Sequence, residues 1–390
     1  MEFVAPVQET KAKVKSFIGH KDRTFDLRLS AARKQLLSAS EDGSCKVWDV
    51  ETKKCALTIV HNKAVEVLRA AFLDSVEGGI CTAGADGNAV IWREEEEEGG
   101  SRKARKVHVL EHGAESQIYV CETMQKCSDL LVAADNRMIV WDLHSFQASR
   151  IYQFNAEATQ ESFGGHRNPD NAVFVFDAKS QPDAASMVGA TMSDSTVRLI
   201  DMRCEQASAQ VVALDLQQGL GGIKLGHATS INWSAGGSDV AVALGSGLVA
   251  LLDWRMPSVR ALLHSHAGPC YGAIFAGGSS SGSSSSVSSG SSAVPNLDSS
   301  SSSSSSSGSS PLITWSSDCT IRIWDAAACQ GLCERPASII RLADFPMLSG
   351  AWDAQRQSLI CGGGGSGGTF MGTPIHEVDL SGPLSTLTLH

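Results

Sequence analysis

Apolar and polar residues alternate over short stretches of this chain, which is typical of strands that bury one face. In three stretches the alternation ends at a tryptophan. The apolar positions before these tryptophans are Cys45, Val47, Ala89, Ile91, Ile321 and Ile323. Asp-Gly pairs at 42–43 and 86–87 are typical of tight turns between strands. The pattern predicts an all-β fold of short strands.

The three tryptophan stretches also share a set of polar residues. They read SASEDGSCKVWD at 38–49, TAGADGNAVIW at 82–92 and TWSSDCTIRIWD at 314–325. An aspartate lies six residues before each tryptophan, a serine or threonine lies four residues before the aspartate, and a histidine lies upstream. The sets are His20, Ser38, Asp42 and Trp48; His61, Thr82, Asp86 and Trp92; and His266, Thr314, Asp318 and Trp324. An irregular polar set that recurs three times indicates a repeat.

These four residue types satisfy one another when they are buried together. A buried indole N–H needs an acceptor and a buried carboxylate needs donors, and a chain of four groups provides both. The residues resemble the WD-repeat β-propeller family. In that family, a hydrogen-bonded tetrad runs from the tryptophan through the serine or threonine and the histidine to the aspartate.

Weaker copies continue the register along the chain. The tryptophan position is filled in turn by Trp48, Trp92, Trp141, Ile200, Leu252, Trp324 and Val378, a spacing that suits four strands per copy. The third copy keeps Asp135, with His112 upstream. The fourth keeps Asp194 but has Ala190 at the serine or threonine position, and the fifth has only His227 upstream. We expect seven four-stranded blades.

Two segments compete to complete the last blade. Residues 13–18 and 384–389 both alternate, and we favour the N-terminal segment, because such a strand closes the ring in WD-repeat propellers. We expect a flexible N-terminus over 1–12 and a single propeller domain over 13–390. The Ser/Gly-rich stretch at 277–310, inside the sixth copy, cannot bury apolar surface and is predicted to be disordered.

Runs of like charge follow the second tryptophan. Five glutamates at 94–98 are followed by RKARK at 102–106, and this pattern predicts a solvated loop between the third and fourth strands of the second blade. An alternative is a nuclear-localisation or partner-docking element formed by Arg102, Lys103, Arg105 and Lys106.

The overall charge of −10 argues against a surface built to bind nucleic acid. No apolar run reaches the length of a membrane span, and we expect no membrane partner. No motif indicates a cofactor, a metal or a small-molecule substrate, and we expect none of these. The eleven cysteines lack paired short spacings and predict reduced thiols, which favours the cytoplasm, the nucleus or both.

His20, Ser38 and Asp42 have the composition of a catalytic triad. Because the trio recurs, with threonine, in two other copies and includes a tryptophan partner, we interpret it as structural and expect no catalytic residues. We expect a non-enzymatic scaffold or adaptor that binds other proteins or peptides inside a multiprotein complex. Candidate contact residues are Arg23, Glu41, Trp254 and Tyr271.

Two copies end in Asp-x-Arg: VGATMSDSTVRLIDMR at 188–203 and VAVALGSGLVALLDWR at 240–255. They resemble the sixteen-residue box of WD-repeat substrate receptors for cullin–RING ubiquitin ligases, whose arginine helps to dock the ligase adaptor. The resemblance implies an alternative function as such a receptor, through Asp201, Arg203, Asp253 and Arg255. A local surface ion pair between each aspartate and its arginine is the simpler interpretation.

Overall fold

Seven antiparallel sheets of four strands each form the blades of a propeller. The computed structural model describes residues 9–97, 100–113, 116–124, 128–154, 173–182, 184, 186–204, 210–216, 225–256, 258–277, 310–364 and 373–387. The predicted all-β fold and the seven blades are therefore confirmed. The predicted disordered stretch lies outside the described residues, except for its ends.

The chain begins with β1 (Val14–His20), which belongs to the last blade, and then builds three blades in order. Blade 1 consists of β2 (Thr24–Ser30), β3 (Gln35–Ser40), β4 (Ser44–Asp49) and β5 (Cys55–Val60). Blade 2 consists of β6 (Val67–Leu73), β7 (Gly79–Gly84), β8 (Asn88–Glu96) and β9 (Arg102–Glu111). Blade 3 consists of β10 (Ile118–Thr123), β11 (Asp129–Ala134), β12 (Arg137–Asp142) and β13 (Gln147–Gln153).

The next three blades repeat this order, with one additional strand. Blade 4 consists of β14 (Val175–Ser180), β15 (Met187–Met192), β16 (Thr196–Asp201) and β17 (Gln210–Asp215). Blade 5 consists of β18 (Ala228–Trp233), β19 (Asp239–Leu244), β20 (Val249–Asp253) and β21 (Ser258–Leu263). Blade 6 consists of β22 (Cys270–Phe275), β23 (Leu312–Ser316), β24 (Thr320–Trp324) and β26 (Ser338–Arg341). The additional strand, β25 (Gly331–Cys333), pairs with β21 of blade 5.

Blade 7 joins the two ends of the chain. It consists of β27 (Met347–Asp353), β28 (Ser358–Gly363), β29 (Thr373–Asp379) and the N-terminal strand β1, which pairs with β29. The N-terminal segment therefore closes the ring, as we favoured. Of the competing segment, residues 384–387 instead form the second half of a helix, α1 (Ser381–Leu387), which buries Pro383 and Leu384.

The first strand of each blade lies innermost, and these seven strands contact one another around a central channel. Because strand direction alternates, the turns between the second and third strands share one end of the channel with the connections between blades. We call this end the upper face. The turns between the first and second strands and between the third and fourth strands lie at the other end, the lower face.

Apolar side chains are buried between blades rather than at one centre. Seven clusters of buried residues each lie at one contact between consecutive blades. The cluster between blades 7 and 1 contains Phe17, whose ring packs edge-on against Trp48 with centroids 5.8 Å apart. Polar contacts reinforce this contact between blades, since Lys53 Nζ lies 2.5 Å from Glu377 Oε2 and Arg356 donates to Val50 O.

The charged segment of blade 2 differs from the prediction. The solvated loop predicted over 94–106 is wrong, because β8 and β9 continue as a paired hairpin from Trp92↔Lys106 to Glu96↔Arg102. Cross-strand ion pairs explain the extension. Arg105 Nε, for example, lies 2.5 Å from Glu95 Oε1, so the two runs of like charge neutralise each other across the hairpin.

The expected flexible N-terminus lies only partly inside the described residues. Of its residues, Glu9 forms a parallel bridge with Ile339 of β26, and Thr10 N–H donates to Ile339 O. The ten cysteines that the structure describes all have free thiols. Within the described ranges, no helix has both the length and the apolar character required to cross a bilayer.

Two neighbouring residues of the closing strand test its role. Phe17 is fully buried, whereas the Ile18 side chain is 72% exposed. Phe17→Ala is expected to lower the free energy of unfolding by about 3–5 kcal/mol, and Ile18→Ala by about 0.5 kcal/mol or less. Urea denaturation of both variants measures this difference, and equal losses would contradict closure by β1.

Candidate functional site

His20 connects the upper face of blade 1 to its buried centre. Its Nδ1 lies 2.9 Å from Asp42 Oδ2, and its Nε2 lies 2.7 Å from Ser38 Oγ. The Trp48 indole N–H donates to the same hydroxyl oxygen at 2.8 Å. The closing strand β1 supplies the histidine, β3 the serine and β4 the tryptophan, so the tetrad fastens blade 1 to blade 7.

The second and sixth blades contain the same arrangement. His61 Nδ1 lies 2.8 Å from Thr82 Oγ1 and its Nε2 lies 3.2 Å from Asp86 Oδ1, so this ring is turned over relative to His20. The Trp92 N–H completes the set with a 2.8 Å bond to Thr82 Oγ1.

In blade 6, His266 bridges Asp318 and Thr314, at 3.1 and 2.9 Å, and the Trp324 N–H lies 3.3 Å from Thr314 Oγ1. The structure therefore brings together all twelve residues of the three sets.

Burial and hydrogen bonding shift the pKa values of the tetrad histidines and aspartates. Burial lowers the pKa of His61 and of His266, against the opposing pull of their aspartates, so both rings are neutral near pH 7. Burial opposes ionisation of Asp42 and Asp318, yet hydrogen bonds from their histidines and from nearby hydroxyl and amide groups hold each pKa below its usual range. Ser38 Oγ is buried and already accepts the Trp48 N–H. This supports a structural role for His20, Ser38 and Asp42.

The third blade departs from the expected tetrad. Its second turn is one residue shorter than that of blade 1, because Ala134 pairs with Arg137 across only Asp135 and Asn136. Val132 therefore lies where a hydroxyl is needed, Asp135 accepts the Ser116 hydroxyl instead, and His112 has no aspartate partner. Within the described residues, His112 Nε2 and Trp141 Nε1 are buried without a hydrogen-bond partner.

The fourth and fifth blades replace the tetrad in different ways. In blade 4, the buried Arg198 lies beside Ala190, and its guanidinium donates to Asp194 Oδ2 at 3.1 Å, in place of a histidine. In blade 5, His227 is exposed and packs against Phe176, with ring centroids 5.4 Å apart. Neither blade has the indole and hydroxyl pair.

The upper end of the channel carries a ring of seven equivalent residues. Each innermost strand has a bulge where its register with the second strand shifts by one residue. The bulged residues are Phe25, Leu68, Tyr119, Phe176, Thr229, Tyr271 and Leu348. We call them the mouth ring. Four are aromatic, and Tyr119 and Phe176 of adjacent blades meet edge-on with centroids 5.9 Å apart.

The mouth ring has one fixed charged pair beside it. Arg23 donates to both carboxylate oxygens of Glu41, at 2.6 and 2.7 Å, and its guanidinium lies 5.7 Å from the centre of the Phe25 ring. The hydrogen bond to Glu41 raises the pKa of Arg23, and the same bond lowers the pKa of Glu41. The pair therefore places the planar guanidinium of Arg23 next to the aromatic ring of Phe25.

A belt of charges lies below the mouth ring, on the side of blades 1–4. Arg28 bonds Asp26 on its own strand and reaches Glu122 of blade 3 at 2.8 Å, and Lys179 of blade 4 lies 2.5 Å from the same glutamate. Burial opposes ionisation of Asp26, but Arg28 and other nearby cations hold its pKa below the usual value. The belt ties together innermost strands that are not neighbours.

The two Asp-x-Arg boxes lie on the lower face. Arg203 donates to both oxygens of Asp201 at 3.0 and 2.7 Å, and Arg255 donates to both oxygens of Asp253 at 3.1 and 3.0 Å. Trp254 is half-buried and donates to Gly237 O. The boxes therefore have the same local geometry in adjacent blades.

The sequence-predicted contact residues thus divide between two faces. Arg23, Glu41 and Tyr271 lie at the upper face, whereas Trp254 and the boxes lie at the lower face. The other aromatic members of the mouth ring were not predicted. An aromatic residue early in the first strand of a copy, as in Val175–Phe176–Asp177, is the signal that identifies them.

The sheets define a seven-bladed β-propeller, and blades 1, 2 and 6 each contain an indole-anchored tetrad. Among protein families, the model described as "WD domain, G-beta repeat" matches residues 11–49, which span β1 to β4. No curated protein matches the chain at a significant level. This match and the seven-bladed fold together support a WD-repeat family.

Thr82 provides a test of the tetrad. Thr82→Val keeps the volume but leaves the Trp92 N–H and a His61 nitrogen buried without partners, and it is expected to cost about 2–4 kcal/mol. Thr82→Ser keeps the hydroxyl, as blade 1 does, and is expected to cost about 1 kcal/mol or less. Chemical denaturation measures both changes. Equal losses for the two variants would disprove a hydrogen-bonded role.

Stability should decrease on acidification. The pKa of His61 and of His266 is lower in the folded chain than the ordinary 6.5, so the unfolded chain binds more protons as the pH falls below about 6.5. The melting temperature is expected to fall between pH 6.5 and 5, and further below pH 4 as Asp42 and Asp318 are protonated. Calorimetry at constant ionic strength measures this. A flatter profile is expected for His61→Gln/His266→Gln, and a rise on acidification would contradict the assignment.

Proposed function

We propose that the protein is a non-enzymatic scaffold that holds protein or peptide partners at its upper face, within a multiprotein complex. The observation that carries this proposal is the mouth ring. Seven blades each place one bulged residue at the same end of the channel, and four of these residues are aromatic.

Aromatic side chains are effective contact residues because they bury large areas at a low cost in conformational entropy. Tyr119, Phe176 and Tyr271 are each half-buried, so part of each ring remains available to a partner. Burial raises the pKa of Tyr119, and the protonated phenol donates to Gln117 Oε1, which holds the ring in place. The Arg23–Glu41 pair adds a polar anchor beside the apolar surface.

The tetrads support this proposal by fixing the loops around the mouth. His20 and His266 are held by aspartates that also accept the backbone N–H groups of Lys21 and Ala267. The loops that carry these residues are thereby prevented from rearranging when a partner binds, which lowers the entropy cost of association. The free thiols of the described cysteines favour a reducing compartment, the cytoplasm or the nucleus.

A second candidate function is that of substrate receptor of a cullin–RING ligase. The observation that favours it is the exposure of two equivalent arginines on one face of adjacent blades. The Arg203 side chain is 74% exposed and that of Arg255 is 63% exposed, and each is held in an extended position by its own aspartate. An adaptor on the lower face would leave the mouth ring free for a substrate.

Affinity purification of the tagged full chain, with quantitative mass spectrometry, tests the scaffold proposal. Tyr119→Ala/Phe176→Ala is expected to reduce the recovery of partners at least tenfold. Ile151→Ala, an exposed apolar residue of the outer strand β13, is the matched control and is expected to change nothing. Partners recovered equally with the double variant, at an unchanged melting temperature, would refute binding at the mouth ring.

The same purification separates the second candidate from the first. If the ligase candidate is correct, a cullin–RING adaptor is recovered with the wild-type chain and is lost with Arg203→Ala/Arg255→Ala, while the mouth-ring variant retains it. Recovery of an adaptor that is insensitive to both arginines would refute docking through the Asp-x-Arg boxes.

A further inference from the structure

The propeller covers two of its own outer edges with additional chain segments. In blade 5, β25 pairs in parallel with the outermost strand β21 through Ala261↔Gly331, Leu262↔Leu332 and Leu263↔Cys333. In blade 6, Glu9 bridges the outermost strand β26 in parallel at Ile339. The outermost strands of this fold therefore accept an added strand.

The outermost strand of blade 1, β5, has an open edge. His61 N–H donates to Gly43 O, so by alternation Leu57 and Ile59 direct their backbone groups toward β4. Thr58 and Val60 therefore direct their N–H and C=O groups away from the sheet. No described residue pairs with this side of β5.

A groove of about 370 Å³ runs along this edge, between β5 and the extended hairpin of blade 2. Leu57 and Ile59 belong to the apolar cluster between blades 1 and 2, and Ala104 of β9 packs against the same cluster. Trp92 also lines the groove. The groove thus combines an apolar side with a row of unpaired backbone groups, which are the two features that an extended peptide needs.

Two basic side chains lie along one wall of the groove. Arg102 and Lys103 line it, and no carboxylate does. Both cations are held loosely by the hairpin, since Arg102 lies 3.9 Å from Glu94 and Lys103 lies 3.6 Å from Glu97, in contrast with the 2.5 Å pair of Arg105 and Glu95. Their side chains are 42% and 68% exposed, so both can contact carboxylates of a partner.

We propose that this groove, which we call the rim groove, binds an acidic peptide in an extended conformation as a fifth strand on the edge of β5. Main-chain hydrogen bonds to Thr58 and Val60 hold the peptide in register. Apolar side chains on alternate positions contact the partly buried Ala104, above the buried Leu57 and Ile59, and acidic side chains contact Arg102 and Lys103. The rim groove is separate from the mouth ring, so the proposal does not depend on the function proposed above.

Selection of a random dodecapeptide display library on the full chain tests this proposal. Enriched peptides are made synthetically with a fluorescent label, and their affinity is measured by fluorescence polarisation. We expect acidic sequences with alternating apolar residues. Arg102→Glu/Lys103→Glu is expected to weaken their binding at least tenfold, whereas Arg150→Glu, on the open outer strand of blade 3, is expected to change it less than twofold.

The edge itself is tested at Thr58. Thr58→Pro removes an outward N–H without removing a bond to β4, and it is expected to weaken binding at least tenfold, whereas Thr58→Ala keeps the N–H and is expected to bind within twofold of wild type. Failure to enrich any acidic peptide, or binding that is insensitive to the charge reversal, would overturn the proposal.

Two other results would overturn the proposal by placing the peptide at another site or by giving the edge of β5 another occupant. Loss of peptide binding only in Tyr119→Ala/Phe176→Ala would place the peptide at the mouth ring. Dimerisation of the full chain that Thr58→Pro abolishes, measured by light scattering after size exclusion, would mean that a second copy occupies the edge of β5.

Discussion

One buried hydroxyl oxygen in each of three blades connects elements that are distant in the chain. Ser38, Thr82 and Thr314 each accept an indole N–H from the third strand and bond a histidine, which comes from the end of β1 in blade 1 and from the connection between blades in the other two. Because the histidine continues to an aspartate in the turn above, the interior of a blade and its upper loops become one unit. The apolar clusters stabilise the contacts between blades but are not directional. The tetrads, in contrast, specify which loop lies beside which turn.

The sequence predicts most of this scaffold, because a tetrad requires particular residue types at fixed spacing. Sequence reasoning fails where the spacing changes or where another residue type replaces a member of the tetrad. In blade 3, deletion of one turn residue moves Val132 into the hydroxyl position, although Asp135 keeps its spacing from Trp141. In blade 4, the Arg198 guanidinium donates to the turn aspartate, as a histidine ring does elsewhere.

Other features escaped sequence reasoning because the pattern itself was ambiguous. Leu387 and Leu389 fit the alternation of a strand, whereas Leu384 and Leu387, three residues apart, fit one turn of a helix, and α1 forms. The mouth ring was missed apart from Tyr271, because a bulge is defined by register and tolerates phenylalanine, leucine, tyrosine and threonine. The runs of glutamate and basic residues each resemble a solvated loop, and only their pairing across β8 and β9 converts them into a hairpin. That hairpin also forms one wall of the rim groove.

The closing strand imposes an order on biosynthesis. Among the described strands, the ribosome makes β1 first, yet the strand against which it pairs, β29, is made last. Blades 1–6 can assemble as the chain leaves the ribosome. During this time Phe17 and the apolar face around it remain without the sheet of blade 7. A nascent chain of this protein therefore exposes the apolar face of β1 until β29 has emerged, and chaperone protection is most needed at β1 during that interval.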